Sequence, residues 1–304
     1  MTASVIHKFK LTQQNGYFAH LHDCVLLAKA AAAKNARPYF FLAGKMHAQP
    51  GLSHNYFSYY FTHHALTREE RRECYRSVVS GEDFIEIRDR YDINSYWCGD
   101  RLAEISNTIK TLEEGRSLFA SHLVVKHAIA SVCDRFWHEH FHGKRVLGVH
   151  FRGTDKPGPE ADAVPFSEML DVIEGCFHSR LDAIFLATDD HDFFEFVTAS
   201  PLRPYVCWFQ APQEQKPLWL PSRKNFRKGA EAILDCLLLS RCAVLIKTPS
   251  LLSSWCKVFR PELELVLVGK PFNRPYGEPN LDGPGYWPER CLWPSSPPPS
   301  EGGN

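Results

Sequence analysis

The sequence predicts an α/β protein built from two Rossmann-like domains facing a cleft. Three observations carry this expectation. At 304 residues the chain is longer than one hydrophobic core usually organises. Short apolar runs such as Val146 to Val149 and Ala183 to Ala187 alternate with stretches of helical spacing, the pattern of parallel strands joined by crossover helices. The polar, chemistry-bearing residues cluster where those runs end, and the crevice beyond the carboxyl ends of the strands is where open parallel sheets bind ligands. The expected division is residues 1–142 as one domain, 143–270 as the second, and 271–304 as an extension ending in a Ser/Pro/Gly tail too poor in apolar residues to fold.

From the N-terminus, Val5 to Leu11 alternates as a strand and runs into the turn signal Thr12-Gln-Gln-Asn-Gly16. His20 to Ala36 is rich in strong helix formers and stops before Pro38, and Pro38 to Leu42 reads as a second strand. The turn of this βαβ unit, around Asn15 and Gly16, sits where a ligand would lie. Between His54 and Trp97 aromatic residues are dense, as in a core or in a surface that stacks on sugar rings, and the core is the simpler reading. Within that stretch Thr67 and Glu70 have the spacing of a capping box that starts a helix. Residues 103–141 keep helical spacing and lead into the second domain.

Val146 to Val149 reads as a buried strand. Beyond it His150, Arg152, Asp155, Lys156 and Glu160 arrive within eleven residues, and Gly153, Pro157, Gly158 and Pro159 hold the chain in a loop. Two cations and two carboxylates at a strand end suit an anionic ligand and acid/base chemistry. Pro165 to Phe177 is an amphipathic helix. Ala183 to Thr188 is a strand ending in Asp189 and Asp190. Asp190-His-Asp192 reads either as the N-cap of a helix over Phe193 to Val197 or as a D-x-D metal site, with the cap the simpler of the two. Tyr205 to Phe209 is a third strand, Gly229 to Ser240 a helix, Ala243 to Lys247 a fourth strand and Leu251 to Phe259 its following helix. Asp235 falls within an apolar helix face and needs a donor, either a protein N–H or a guanine edge. Thr248, Ser250 and the helix start after them form an anion site.

Composition bounds the partners. Hydrophobic residues make up 44% and charged residues 23%, and 35 Lys and Arg offset 35 Asp and Glu. A nucleic-acid binder carries a basic excess, so no nucleic-acid partner is expected. No apolar run of about 20 residues and no secretory h-region is present, so no transmembrane segment is expected. The ten cysteines form no C-x-x-C pair, and Cys236, Cys242 and Cys256 lie inside apolar runs. That usage suits a reducing compartment, and the expected location is cytoplasmic. The 15 histidines scatter without an H-E-x-x-H arrangement, and the group His138, His140 and His142 reads as a solvated segment rather than a metal site.

The segment His150-Phe-Arg-Gly-Thr-Asp-Lys156 with Glu160, the strand ending Ala187-Thr-Asp-Asp190, the Ile-Leu-Asp235 helix and Thr248-Pro-Ser250 together resemble the GDP-fucose-dependent fucosyltransferases of GT-B fold. The likeness is greatest to the α1,6-fucosyltransferases, including the rhizobial nodulation enzyme, and more distant to the protein O-fucosyltransferases. It covers about 110 residues in the family's order. The family's second arginine is Gly153 here, and Leu251 and Leu252 stand where relatives continue Ser-Gln. The resemblance implies an inverting, metal-independent glycosyltransferase that takes a nucleotide-sugar donor and a glycan acceptor and needs no cofactor. It makes Glu160 the general base with Asp155 as the reserve candidate, and gives Arg152 and Lys156 the departing diphosphate. It makes His150, Ala187, Thr188 and Asp189 nucleotide contacts, Asp235 the reader of guanine and Thr248 and Ser250 phosphate contacts. A similar turn in relatives places Asn15 and Gly16 against ligand. Two alternatives stand beside this: a GT-B transferase for another nucleotide sugar, and a non-catalytic nucleotide- or glycan-binding protein of the same fold. Acceptor identity and oligomeric state leave no signal in the sequence.

Overall fold

The computed structural model describes residues 5–13, 16–44, 48–99, 112–154, 163–177, 180–212 and 225–269. They fall into two compact units, one formed by the described residues up to 138 together with 225–237, the other by those from 139 to 212 together with 238–269.

The first unit begins with β1 (Val5–Leu11), α1 (Tyr17–Ala33) and β2 (Ala36–Leu42). β1 and β2 pair in parallel from Val5 opposite Ala36 to Leu11 opposite Leu42, the βαβ unit expected from the sequence. The helix starts three residues before its predicted position. It also ends earlier, because Asn35 takes a left-handed φ of 55° and reverses the chain at once, a conformation Asn tolerates. Strand β2 therefore begins before Pro38, which is accommodated because β2 lies at the sheet edge. Next come α2 (Phe57–Tyr60), β3 (Phe61–His63), α3 (Arg68–Ser80), β4 (Ile85–Ile87), α4 (Arg90–Cys98), α5 (Leu112–His122), β5 (Leu123–Val125) and α6 (His127–Phe141). β4 joins the other side of β1, giving the order β2-β1-β4, while β3 and β5 form a separate antiparallel pair. The helical stretch expected over 103–141 is two helices broken by β5 in its described part, because Leu123 to Val125 find a strand partner in Phe61 to His63. Tyr56, Phe57, Tyr59, Tyr60 and Phe61 are buried, so this aromatic block is core.

The second unit runs β6 (Val146–Phe151), α7 (Phe166–Phe177), β7 (Ala183–Thr188), α8 (His191–Thr198), β8 (Val206–Cys207), α9 (Asn225–Arg241), β9 (Val244–Lys247), α10 (Leu251–Phe259) and β10 (Glu264–Leu267). All five strands are parallel, in the order β10-β9-β6-β7-β8. Leu147, Val149 and Phe151 of β6, with Ile184, Leu186 and Ile246, face a core completed by Met169, Ile173, Phe193 and Val197 from α7 and α8. Gly148 points the other way, where an added Cβ would lie 3.0 Å from Cys242 Sγ and 3.2 Å from a Leu239 methyl. The glycine thus lets α9 come close to the sheet. The strand expected over Tyr205 to Phe209 shrinks to two residues. A single 3-10 turn, Arg203–Tyr205, occupies its start because Pro204 fixes φ and lacks an N–H. Trp208 leaves the sheet to pack its ring edge-on against Phe194 at 4.9 Å, with the Arg203 guanidinium over it. β10 had no counterpart in the sequence reading.

The first half of α9 belongs with the first unit for a visible reason. Tyr60 Oη donates to the Phe226 carbonyl at 2.7 Å, the two rings stack, and Asn225 Nδ2 donates to the Ala48 carbonyl at 3.0 Å. Gly229 permits this approach, since a Cβ there would lie 2.3 Å from Tyr60 Oη. No helix among the described residues is long and apolar enough to cross a membrane.

Candidate functional site

In the five-stranded sheet the chain leaves β6 toward β7 on one side and returns to β9 on the other, so the order reverses between β6 and β9. Parallel sheets open a crevice at such a point, beyond the carboxyl ends of the strands. The segments that meet there are 150–154 after β6, 188–190 after β7 and 247–251 after β9.

The backbone ties them together. Thr248 N donates to the His150 carbonyl at 3.1 Å, and Arg152 N donates to Thr248 Oγ1 at 2.8 Å. Thr188 Oγ1 donates to the Phe151 carbonyl at 2.8 Å and accepts from Asp190 N at 3.1 Å. Ala187 stands opposite His150 in the ladder, and Thr188 opposite Phe151.

Asp189 organises the loop that leaves β6. Its buried carboxylate accepts from Arg152 Nη1 at 2.9 Å, from Thr154 Oγ1 at 2.7 Å and from Gly153 N at 3.2 Å. Charge-assisted bonds of this kind are roughly twice as strong as neutral ones; the first fixes the mostly buried guanidinium, and the other two fix the loop at Gly153 and Thr154. Asp190 has a different task. Its Oδ1 accepts from Phe193 N at 2.9 Å, so it is the N-cap of α8. Its Oδ2 lies over Gly153, where a Cβ would come within 1.9 Å of it. No side chain fits at residue 153 while Asp190 keeps this position. Among the described residues, no three or more His, Cys, Asp or Glu are grouped to share a metal ion.

His150 and Lys247 are partners across β6 and β9. The imidazole is buried, and its Nδ1 has no hydrogen-bond partner among the described residues. Burial first, then the charges of Lys247 and Arg152, hold its pKa well below the ordinary histidine value, so the ring is neutral. Lys247 is completely buried, and its Nζ donates to the Ser250 carbonyl at 3.0 Å and to Ser254 Oγ at 2.7 Å. Ser250 is the N-cap residue of α10, yet its hydroxyl does not cap that helix.

Asp235 lies on α9 one turn before Leu239, the residue that packs on Gly148. Burial of its carboxyl, with Glu231 one turn earlier adding to it, pushes its pKa well above the carboxylate range. No described residue donates a hydrogen bond to it. Gly16, in the first unit, is the N-cap of α1 in extended backbone, and its carbonyl accepts from Ala19 N and His20 N. No described residue comes within 4 Å of where its Cβ would be.

The structure therefore brings His150, Arg152, Thr188, Asp189, Thr248 and Ser250 to one switch point, and Ala187 to the adjoining rung. Asn15, Asp155, Lys156 and Glu160 lie outside the described residues. Sequence reasoning missed Lys247 and Thr154. Lysine at the last position of a strand reads as a solvated end, and only its setting in a central strand of a parallel sheet, buried on both faces, would have flagged it. A cation, hydroxyls and a helix N-terminus that the Ser250 side chain does not cap, all at one strand mouth, form an anion-binding arrangement, and neutral His150 adds an imidazole nitrogen.

No protein-family model matches the chain. No curated protein matches it by sequence. Among solved structures, one described as NodZ alpha-1,6-fucosyltransferase soaked with GDP-fucose superposes with a TM-score of 0.52 at 17% identity, covering 83% of this chain and 92% of that one. A second, fucosyltransferase NodZ from Bradyrhizobium, gives 0.51 over the same shares at 17% identity. POFUT1 in complex with GDP-fucose gives 0.48 at 10% identity over 88% and 99%. The likeness to NodZ is one of fold: the chain has the GT-B fold of that transferase.

Proposed function

We propose that this chain is an inverting glycosyltransferase that moves L-fucose from GDP-fucose to a hydroxyl of a glycan acceptor without a metal ion. The observation that carries the reading is the strand-mouth cluster. Arg152, clasped by Asp189, sits beside Thr248 and the uncapped start of α10 at the switch point of a sheet with the NodZ fold.

Cleaving a sugar–diphosphate bond builds negative charge on the leaving phosphate and positive charge at the anomeric carbon. Arg152 and Lys156, with the first N–H groups of α10, take up the phosphate charge, the role a divalent cation plays elsewhere. Asp235, a raised-pKa carboxyl with no hydrogen-bond donor among the described residues, accepts from the N1–H and exocyclic amine of guanine. Ala187, Thr188 and His150 line the nucleoside side, and the turn at Asn15 and Gly16 serves the acceptor-side unit. The acceptor hydroxyl attacks only as its proton is removed, and Glu160 is the base for that step, with Asp155 in reserve. The ten cysteines, without a C-x-x-C pair and several of them inside apolar runs, suit a reducing setting such as the cytoplasm.

The test is Glu160→Gln. Loss of general-base catalysis lowers turnover on GDP-fucose by about 10² or more while GDP affinity stays near normal. Unchanged turnover removes Glu160 from the mechanism. Turnover undiminished by a strong chelator is expected in the same assay, and loss restored by Mn²⁺ contradicts the metal-independent route. A transferase for another nucleotide sugar is the second reading, favoured by the way Asp190 bars a side chain at residue 153.

A further inference from the structure

Strand β9 reads Val-Leu-Ile-Lys, and its final residue has no exposed surface. Burying an ammonium is unfavourable unless its surroundings return the lost hydration, and packing of the sheet alone does not call for one. Lys247 is held by a small polar knot. Its Nζ donates to the Ser250 carbonyl and to Ser254 Oγ, and the Ser254 hydroxyl donates to the same carbonyl at 2.7 Å. The knot sets a positive charge against the first turn of α10, a nine-residue helix whose N-terminal N–H groups already favour an anion.

His150 gives a second, independent sign. It is the cross-strand partner of Lys247, more than nine-tenths buried, and its Nδ1 lacks a partner among the described residues. A buried nitrogen left unpaired is costly, and a ligand donor at the same strand mouth explains it. Local charge supplies the need. Arg152 is already matched by Asp189, and Asp190 adds another carboxylate over Gly153. Without Lys247 the charged groups named at the described strand ends, Arg152 against Asp189 and Asp190, leave one negative charge in excess.

Resting on the nucleoside-diphosphate reading above, we propose that Lys247 is a further cation of the donor site, beside Arg152 and Lys156: a positioning residue that acts on the phosphates through the first turn of α10. An ammonium fixed within a few ångströms of a phosphate in a protein interior changes phosphate affinity on the order of tenfold to a hundredfold.

The experiment compares GDP with guanosine by calorimetry in the unsubstituted protein, in Lys247→Gln and in Lys247→Met. The expected result is a GDP-over-guanosine preference that shrinks roughly tenfold or more in both variants while guanosine affinity stays within about twofold. A merely structural lysine would weaken both ligands together. A preference that survives in a folded variant overturns the inference. Should neither variant fold, the protected lysine ammonium signal of the unsubstituted protein decides by ¹⁵N NMR. It shifts on addition of GDP or inorganic pyrophosphate and not guanosine if Lys247 feels the phosphates, and absence of a shift overturns the proposal. If the unsubstituted protein shows no preference for GDP over guanosine, the diphosphate reading itself falls, and the inference with it.

Discussion

Arg152 and Gly153 are neighbours with opposite relations to one pair of carboxylates. Asp189 holds the guanidinium in place, while Asp190 occupies the space a side chain at residue 153 would need. Arg152 was legible in the sequence as a cation at a strand end, but the role of Asp189 as its clasp was not. That contact joins adjacent strands, and pairing across a sheet leaves no mark in local spacing. Two predictions belong here. Arg152→Ala removes a charge-assisted contact and leaves Asp189 short of a donor, so GDP affinity measured by calorimetry falls roughly tenfold to a hundredfold. Arg152→Lys restores only part of it, because an ammonium does not reproduce the guanidinium fork. Gly153→Ala forces Asp190 away from the α8 terminus and destabilises the protein by at least the ~1 kcal/mol a lost N-cap costs. In an Asp190→Ala background the same change is close to neutral. Additive urea-unfolding free energies across that double-mutant cycle contradict the steric account.

Elements were legible where periodicity and capping chemistry were strong. The capping box at Thr67 is present in full. Glu70 N donates to Thr67 Oγ1, and Thr67 N donates to the Glu70 carboxylate, which Arg37 also grips at 2.6 Å. These contacts, the Arg37 bond first, hold the Glu70 pKa down to about 2. Thr67→Ala is expected to lower stability by about 1 kcal/mol in urea unfolding, and an unchanged midpoint contradicts the role of the cap. The N-cap reading of Asp190 also holds. Short strands were the weak point. Val206–Cys207 and Glu264–Leu267 are strands because partners present an edge, β7 to the first and β9 to the second, rather than because of their own patterns. The site follows from topology at this scale: β6, central in its sheet, ends between two crossovers that leave in opposite directions, so its loop and the start of α10 meet.

Across the whole molecule, two buried neutral histidines set the acid limit. His63 accepts from Phe40 N through Nε2 at 2.8 Å, which a protonated ring cannot do. Burial first and the charge of Arg71 next lower its pKa to about 3, and His150 is shifted the same way. Because the unfolded chain takes up these protons near pH 6.5 and the folded one does not, stability falls as pH drops from about 6.5 toward 3, by about 1.4 kcal/mol per pH unit for each fully shifted group. Asp235, with its raised pKa, contributes in the opposite sense, losing stability as pH rises above the unfolded carboxylate value. His63→Gln should flatten the acid limb of urea midpoints measured between pH 8 and 5, and an unaltered slope contradicts the assignment. The α/β class was visible in strand–helix alternation, and the affiliation of 225–237 with the first unit was not, because it rests on Tyr60 meeting Phe226 and Gly229 across a long stretch of chain. The central claim, a guanine nucleoside diphosphate held at the β6/β9 switch point, is tested most directly by calorimetry with GDP, UDP, CMP and ADP. The account predicts that GDP binds tightest and that Asp235→Asn removes its advantage over ADP. Preference for another base, or binding of none of the four, contradicts it.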